Sequence, residues 1–221
     1  MTMTRALVIG AGGLGGPIAL ALGDAGVELA IVDPDVVELS NLHRQIQFAV
    51  ADIGRGKAER LAAVITERGG RARGYALAWT AEDADDLGAG VDVVVDGTDS
   101  PDTKFAVCDW AMATGRPYVI AAAIQLGGNV VVGAPGAACY RCLFEAPVPA
   151  LTCAVAGILG PVVGAIGGVA AALALGAARG DRRYAGAALV FEDARRGLDP
   201  RIVRFAPRPG CSACAGARAV A

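Results

Sequence analysis

"RALVIGAGGLGGPIALALGDAGVELAIVD" (residues 5–33) places an apolar run of strand length, a glycine-rich turn, a helical pattern and a second apolar run in direct succession. "RALVIG" (5–10) reads as a strand, "GLGGPIALALGDAG" (13–26) as a helix with a glycine stop, and "ELAIVD" (28–33) as the next strand. Gly10, Gly12 and Gly15 spell G-x-G-x-x-G at the junction of strand and helix, with Gly13 between them. Glycines there allow a tight turn and let backbone N–H groups approach phosphates at the helix N-terminus. Asp33, ending the second strand, is placed to accept hydrogen bonds from ribose hydroxyls. NAD, FAD and ATP all satisfy this motif.

The same alternation continues outward and predicts a Rossmann-like α/β fold with a mostly parallel sheet. "GKAERLAAVITERGG" (56–70) is an amphipathic helix, "RARGYAL" (71–77) a weaker strand and "VDVVVDGTD" (91–99) a buried strand with an acidic end. "TKFAVCDWAMATG" (103–115) reads as a helix and "PYVIAAA" (117–123) as a further strand. Beyond residue 124 the character changes. "GGNVVVGAPGAACYRCLFE" (127–145) predicts a hairpin or meander, and "GAALVFED" (186–193) and "RIVRFAP" (201–207) two additional antiparallel C-terminal strands. We read one domain over 1–221, with a nucleotide-binding half (1–124) and a second half (125–221).

Composition narrows the function classes. The 221 residues are 54% apolar and 19% charged, with 31 glycines, as expected of a globular chain with many tight turns. A net charge of −2 leaves no footprint for nucleic acid or an anionic membrane. Residues 154–178 are free of charge and long enough to span a bilayer, but six glycines and Pro161 interrupt them, so a buried helix or helix pair is expected. The N-terminus lacks a signal-peptide pattern, so a cytoplasmic protein with reduced or metal-bound cysteines is expected.

"DPDVVELSNLHRQ" (33–45) carries more polarity than a ribose anchor needs. If "SNLHRQ" starts a short helix, Ser40 is its N-cap, and Asn41 shares a face with Arg44 and with Gln45. A guanidinium flanked by amides suits a multi-oxygen anion such as a triphosphate. Lys57 can add a point charge to the same phosphates. Asp35 lies beside Asp33 and joins the nucleotide-binding set. Asp99, on the carboxyl edge of the sheet, is a lone carboxylate of the kind that anchors Mg²⁺. His43, the single histidine, reads as a spacer or packing residue. A dehydrogenase would want a positioned acid or base, and this histidine lies in the nucleotide region instead.

Taken in order, "GAGGLG" (10–15), "DPDVVELSNLHRQ" (33–45), "DIGRGKA" (52–58), "DGTD" (96–99), "CYRC" (139–142) and "CSAC" (211–214) resemble the ThiF/MoeB/HesA family, bacterial relatives of ubiquitin-activating enzymes. The resemblance implies adenylation of the C-terminal glycine carboxylate of a ubiquitin-like sulfur-carrier protein ending in Gly-Gly, with release of pyrophosphate. It assigns Asp33 to the ribose, Asn41, Arg44 and Lys57 to the phosphates, and Asp99 to Mg²⁺. It also implies a homodimer, and it makes 125–221 the carrier-binding and zinc half. Arg44, Lys57 and Asp99 are then the catalytic set.

Two C-x-x-C pairs, Cys139/Cys142 and Cys211/Cys214, can complete a closed tetrahedral zinc site that pins the C-terminal tail to the domain. Cys108 reads as core packing. Cys153 is the candidate for a covalent sulfur-handling cysteine, since some relatives carry one at that point.

The sequence also departs from the family pattern. Nine residues precede Gly10, so an N-terminal arm bearing an arginine is expected to be missing. Ser100 and Lys104 replace the usual Asn and Arg, the segment between Cys142 and Cys153 is short, and a rhodanese-like extension is not expected. A separate sulfur donor is therefore expected. Three other readings stay open: adenylation of a peptide or small carboxylate, an NAD-dependent oxidoreductase, and a non-catalytic binding partner.

Overall fold

The computed structural model describes residues 3–147 and 156–214. Eight strands form one sheet in the order β3-β2-β1-β4-β5-β6-β7-β8. Strands β1 (Arg5–Ile9), β2 (Glu28–Val32), β3 (Arg71–Tyr75), β4 (Val93–Asp96) and β5 (Tyr118–Ile124) pair in parallel. Strands β6 (Gly127–Gly133), β7 (Ala187–Phe191) and β8 (Arg201–Arg204) continue it antiparallel, as expected of the C-terminal strands. The chain leaves β1 for β2 on one side and returns to β4 on the other, so a crevice opens beyond their carboxyl ends.

The near-continuous apolar runs of β1 and β4 follow from burial on both faces. In β1, Ala6 and Val8 face one hydrophobic layer while Leu7 and Ile9 face the other. The first layer is covered by α1 (Gly15–Asp24) and α2 (Lys57–Glu67), which contribute Ile18, Leu22, Leu61 and Ile65. The second is covered by α3 (Ala81–Leu87) and α4 (Pro101–Ala113), with Phe105, Val107 and Trp110 packed over Val94, Tyr118 and Ile120.

One expectation needs correction. Residues 127–145 are not a full hairpin or meander: after β6 the chain turns into the one-turn helix α5 (Tyr140–Leu143), flanked by Cys139 and containing Cys142. As expected, the small-residue stretch is helical: it forms one 19-residue helix, α6 (Gly160–Ala178). Pro161 stands in the first turn, where no intrahelical donor is lost. By length and composition α6 could cross a membrane. Here it lies against α1 and strands β4, β5 and β6, burying Val162, Val163, Ile166 and Ala170 in the first layer. Small side chains permit that close approach: a Cβ on Gly167 would sit 3.0 Å from Pro17 Cβ and 3.2 Å from Leu14 O.

Candidate active site

The turn after β1 is built by its glycines. Gly10 has φ +90°, the left-handed region that L side chains rarely adopt, and its N–H donates to Val32 O at 2.8 Å. A Cβ on Gly15 would fall 1.7 Å from Gly10 O, so the loop folds back onto the first turn of α1 only without a side chain there. Gly10, Gly12 and Gly13 line a cleft of about 640 Å³ at the carboxyl edge of the sheet. Gly15 does not line it. Its role is packing. Asp33, 6% exposed, closes the turn from the β2 side: one carboxylate oxygen accepts from Ala11 N–H at 2.6 Å, the other from Asp35 N–H at 2.8 Å. Burial pushes the Asp33 carboxyl above its ordinary value, against the pull of those two amides and of Lys57.

The segment following β2 departs from expectation at one residue. Leu39–Asn41 form a 3-10 turn with Ser40 inside it, so Ser40 is not an N-cap. Its hydroxyl bonds sideways, donating to Glu38 at 3.2 Å and accepting from Asn41 Nδ2 at 2.8 Å. Ser40 is exposed and does not line the cleft, so the structure does not bring it to the nucleotide-binding set. His43 is exposed too, beside Ser40 O at 3.0 Å, and lies off the cleft. Asn41, Arg44 and Gln45 do line it. Gln45 Nε2 donates to Asn41 Oδ1 at 3.0 Å, the four-residue pairing read from the sequence. Arg44 spends one long hydrogen bond on Ser40 O, at 3.3 Å, and its other donors meet no acceptor among the described residues, which suits an anion.

Lys57 lines the same cleft, largely buried, and in this structure its ammonium pairs with Asp35 at 2.8 Å. "DIGRGKA" explains how it gets there. Buried Asp52 accepts from Ala49 N–H at 3.0 Å, Arg55 at 3.2 Å and Arg60 at 2.7 Å, which ties the turn before α2 into one knot. Lys57 N–H then donates to Asp35 O at 2.9 Å.

Asp99 stands on the turn between β4 and α4, exposed to the cleft, with no hydrogen bond or ion pair to any described residue. The turn itself is held by a buried pair that sequence reasoning missed. Lys104 Nζ donates to Asp96 at 2.7 Å, Thr98 O at 2.7 Å and Ala121 O at 2.8 Å, while Asp96 accepts from the Thr98 amide and hydroxyl at 3.1 and 2.7 Å. Ser100 caps α4 by accepting from Thr103 N–H at 3.2 Å. The remaining wall is apolar: Trp79, Phe105, Tyr140 and Phe144 line it. Tyr140 packs between Phe105 and Phe144 with ring centroids at 5.2 and 4.8 Å.

The structure also brings the two C-x-x-C pairs together. All four Sγ atoms lie within 4.8 Å of one another, with Cys139–Cys142 at 3.8 Å, Cys139–Cys211 at 3.6 Å and Cys142–Cys214 at 3.3 Å. A tetrahedron of sulfurs at ~2.3 Å from zinc has edges of about 3.8 Å, so the quartet fits that ion. Burial pushes the Cys211 thiol up, but the amides of Cys214 and Ala213 and the neighbouring thiols bring it down to about 6. Cys108 is buried in α4, 3.3 Å from Tyr118 OH, as a packing residue. Cys153 lies outside the described residues.

Comparison with known proteins agrees with this architecture. The family model described as ThiF family matches residues 1–213. The adenylyltransferase and sulfurtransferase MOCS3 of Sus scrofa is 42% identical over 216 residues, covering 94% of this chain and 47% of that protein. The protein of the same name in Dictyostelium discoideum is 40% identical over 172 residues, 75% of this chain and 40% of that one. The chain thus spans about half the length, or less, of these relatives. Among solved structures, E. coli MccB with ATP superposes with a TM-score of 0.80 at 20% identity, over 96% of this chain and 66% of that chain, a likeness of fold.

Proposed function

Because the chain belongs to the ThiF family, we propose that it is an ATP-dependent adenylyltransferase that activates the C-terminal glycine carboxylate of a ubiquitin-like sulfur-carrier protein. One observation carries this reading. Around the glycine loop, the cleft gathers a ribose-competent carboxylate (Asp33), an amide pair (Asn41, Gln45), two cations (Arg44, Lys57) and an uncommitted carboxylate (Asp99). A dinucleotide oxidoreductase has no use for the last three together. They suit a triphosphate with a divalent ion.

The chemistry needs no base. A carboxylate oxygen of the acceptor attacks the α-phosphorus, forming the acyl–phosphate bond as the bond from that phosphorus to the bridging oxygen breaks and pyrophosphate leaves. Both reactants are anions, so the barrier is dominated by charge, and cations fixed in a cleft lower it. Arg44 would clamp phosphate oxygens with its free donors, and Lys57 would exchange Asp35 for the triphosphate. Asp33 would hold the ribose. Asp99 would hold Mg²⁺, which when bound neutralises phosphate charge. Cys139, Cys142, Cys211 and Cys214 would hold Zn²⁺ as a structural ion.

In this reading residues 1–124 bind the nucleotide and 125–221 hold the zinc and receive the carrier. The aromatic wall of Tyr140 and Phe144 suits the carrier's extended C-terminal tail better than a small acid. Homodimer formation, a cytoplasmic setting and a separate sulfur donor belong to the same proposal.

The deciding experiment is ATP–pyrophosphate exchange with Gly-Gly-ended carriers. Exchange that depends on carrier and falls by at least about 100-fold in Asp99→Asn and in Arg44→Ala supports the reading. Exchange with a small acid alone would replace the carrier by a small-carboxylate substrate. ATP binding without exchange for any acceptor would overturn the catalytic reading.

A further inference from the structure

Gln47 does not line the cleft, yet its side chain touches the loop that does. Its Nε2 donates to Ala11 O at 2.9 Å and to Gly12 O at 3.0 Å, so both of its amide hydrogens end on consecutive carbonyls of the glycine loop. Gln47 is 7% exposed, and its buried Oε1 has no hydrogen-bond partner among the described residues. Gly16 makes room for it: a Cβ there would fall 2.2 Å from Gln47 Cδ and 2.4 Å from Nε2. A side chain at the second residue of α1, outside the G-x-G-x-x-G pattern, would therefore push the Gln47 amide off the loop.

The consequence is directional. In a trans peptide the carbonyl and the following N–H point opposite ways, and the described chain has no cis bond. Holding Ala11 C=O toward Gln47 turns the Gly12 N–H away from it, and holding Gly12 C=O does the same for the Gly13 N–H. Neither of these amides hydrogen-bonds to a described residue, and both residues line the cleft. A run of glycines is the part of a chain with the widest choice of peptide orientations. Two hydrogen bonds from behind remove that choice before any ligand arrives.

We propose that Gln47 is a positioning residue for the phosphate-binding loop, acting through the peptide planes 11–12 and 12–13 rather than through any contact with ligand. The inference rests on the reading that this loop binds nucleotide phosphates. It assigns Gln47 to phosphates alone. On the same reading, base and ribose would meet other walls of the cleft, Asp33 among them.

The test compares dissociation constants for ATP and for adenosine in wild type, Gln47→Met and Gln47→Glu. Met keeps the length and removes the donors. Glu keeps the shape and sets a carboxylate against the two carbonyls. ATP binding is expected to weaken about tenfold in Gln47→Met and further in Gln47→Glu, with adenosine binding unchanged in both. Thermal unfolding of each variant shows whether it is folded, and either folded variant decides the matter. Unchanged ATP binding, or equal weakening of ATP and adenosine, would show a residue that merely docks its segment onto α1, and the inference falls. Wild-type protein that binds no nucleoside triphosphate would sink the functional reading first, and this one with it.

Discussion

At the scale of single residues, the site is a set of polar groups whose cost of burial is met unequally. Asp33 is the clearest case. Its two backbone donors do not offset desolvation, so its carboxyl holds a proton at higher pH than an exposed aspartate, whose pKa is about 3.9. Ribose hydroxyls need the ionised form as acceptor. KM for ATP is therefore expected to climb as pH falls from neutrality toward the raised folded pKa, at a pH where exposed carboxylates are still charged. In Asp33→Asn this acid limb disappears and KM stays high throughout, which steady-state kinetics across the acid range will check. The stability linkage has the opposite sign. A raised folded pKa makes Asp33's contribution greatest below its unfolded pKa and lost as pH rises through the folded one. Much of this set was legible in the sequence, because Asn41, Gln45 and Arg44 follow helical spacing, Asp33 directly follows β2 and Asp99 lies on the turn just after β4. Ser40 was misread because a hydroxyl can bond to a neighbouring side chain as readily as to the amides ahead of it. The Asp96–Lys104 pair was not legible at all, since it forms only when α4 packs back over the end of β4.

Elements are positioned mainly by how closely their backbones approach, and one contact shows the limit. A Cβ on Gly74 in β3 would lie 2.3 Å from Ala58 O, 2.4 Å from Ala58 C and 2.5 Å from Glu59 N, all backbone of the first turn of α2. No side-chain rotation relieves such a clash. Gly74→Ala should destabilise the fold by ~1–3 kcal/mol and lower the melting temperature by roughly 2–12 °C, measured by calorimetry. Because α2 begins with Lys57, ATP binding is expected to weaken in the same variant. Most of the parallel half was readable in advance because β1, β2, β4 and β5 are mostly apolar runs bounded by turn residues, whereas β3, RARGY, carries two arginines. The region after β6 was not. "APGAACYRC" reads as turn and strand in isolation, whereas the structure uses it to deliver Cys139 and Cys142 to partners 72 residues further on.

On the scale of the whole molecule, the cysteine quartet and the cleft share a wall. Helix α5 presents Tyr140 to the cleft from between two zinc-competent thiols, Cys139 and Cys142, and Phe144 follows it along the same wall. Cys211 and Cys214 arrive after β8, at the far end of the sheet order. An ion held by all four would close a long chain loop and fix α5 against α4, where Tyr140 already packs on Phe105. The proposed ATP end of the cleft has no such dependence. Asp33, Arg44, Lys57 and Asp99 hang on the parallel strands and on knots of their own, such as those of Asp52 and Asp96. Metal loss should therefore separate the two substrates. Chelation, or Cys211→Ser, is expected to lower the melting temperature by on the order of 10 °C and to raise KM for the acceptor protein. The dissociation constant for ATP should change little. Binding measurements on the same metal-free sample decide this: parallel loss of ATP and acceptor binding would mean that the quartet supports the fold as a whole, and unchanged acceptor KM would mean that α5 keeps its wall without it.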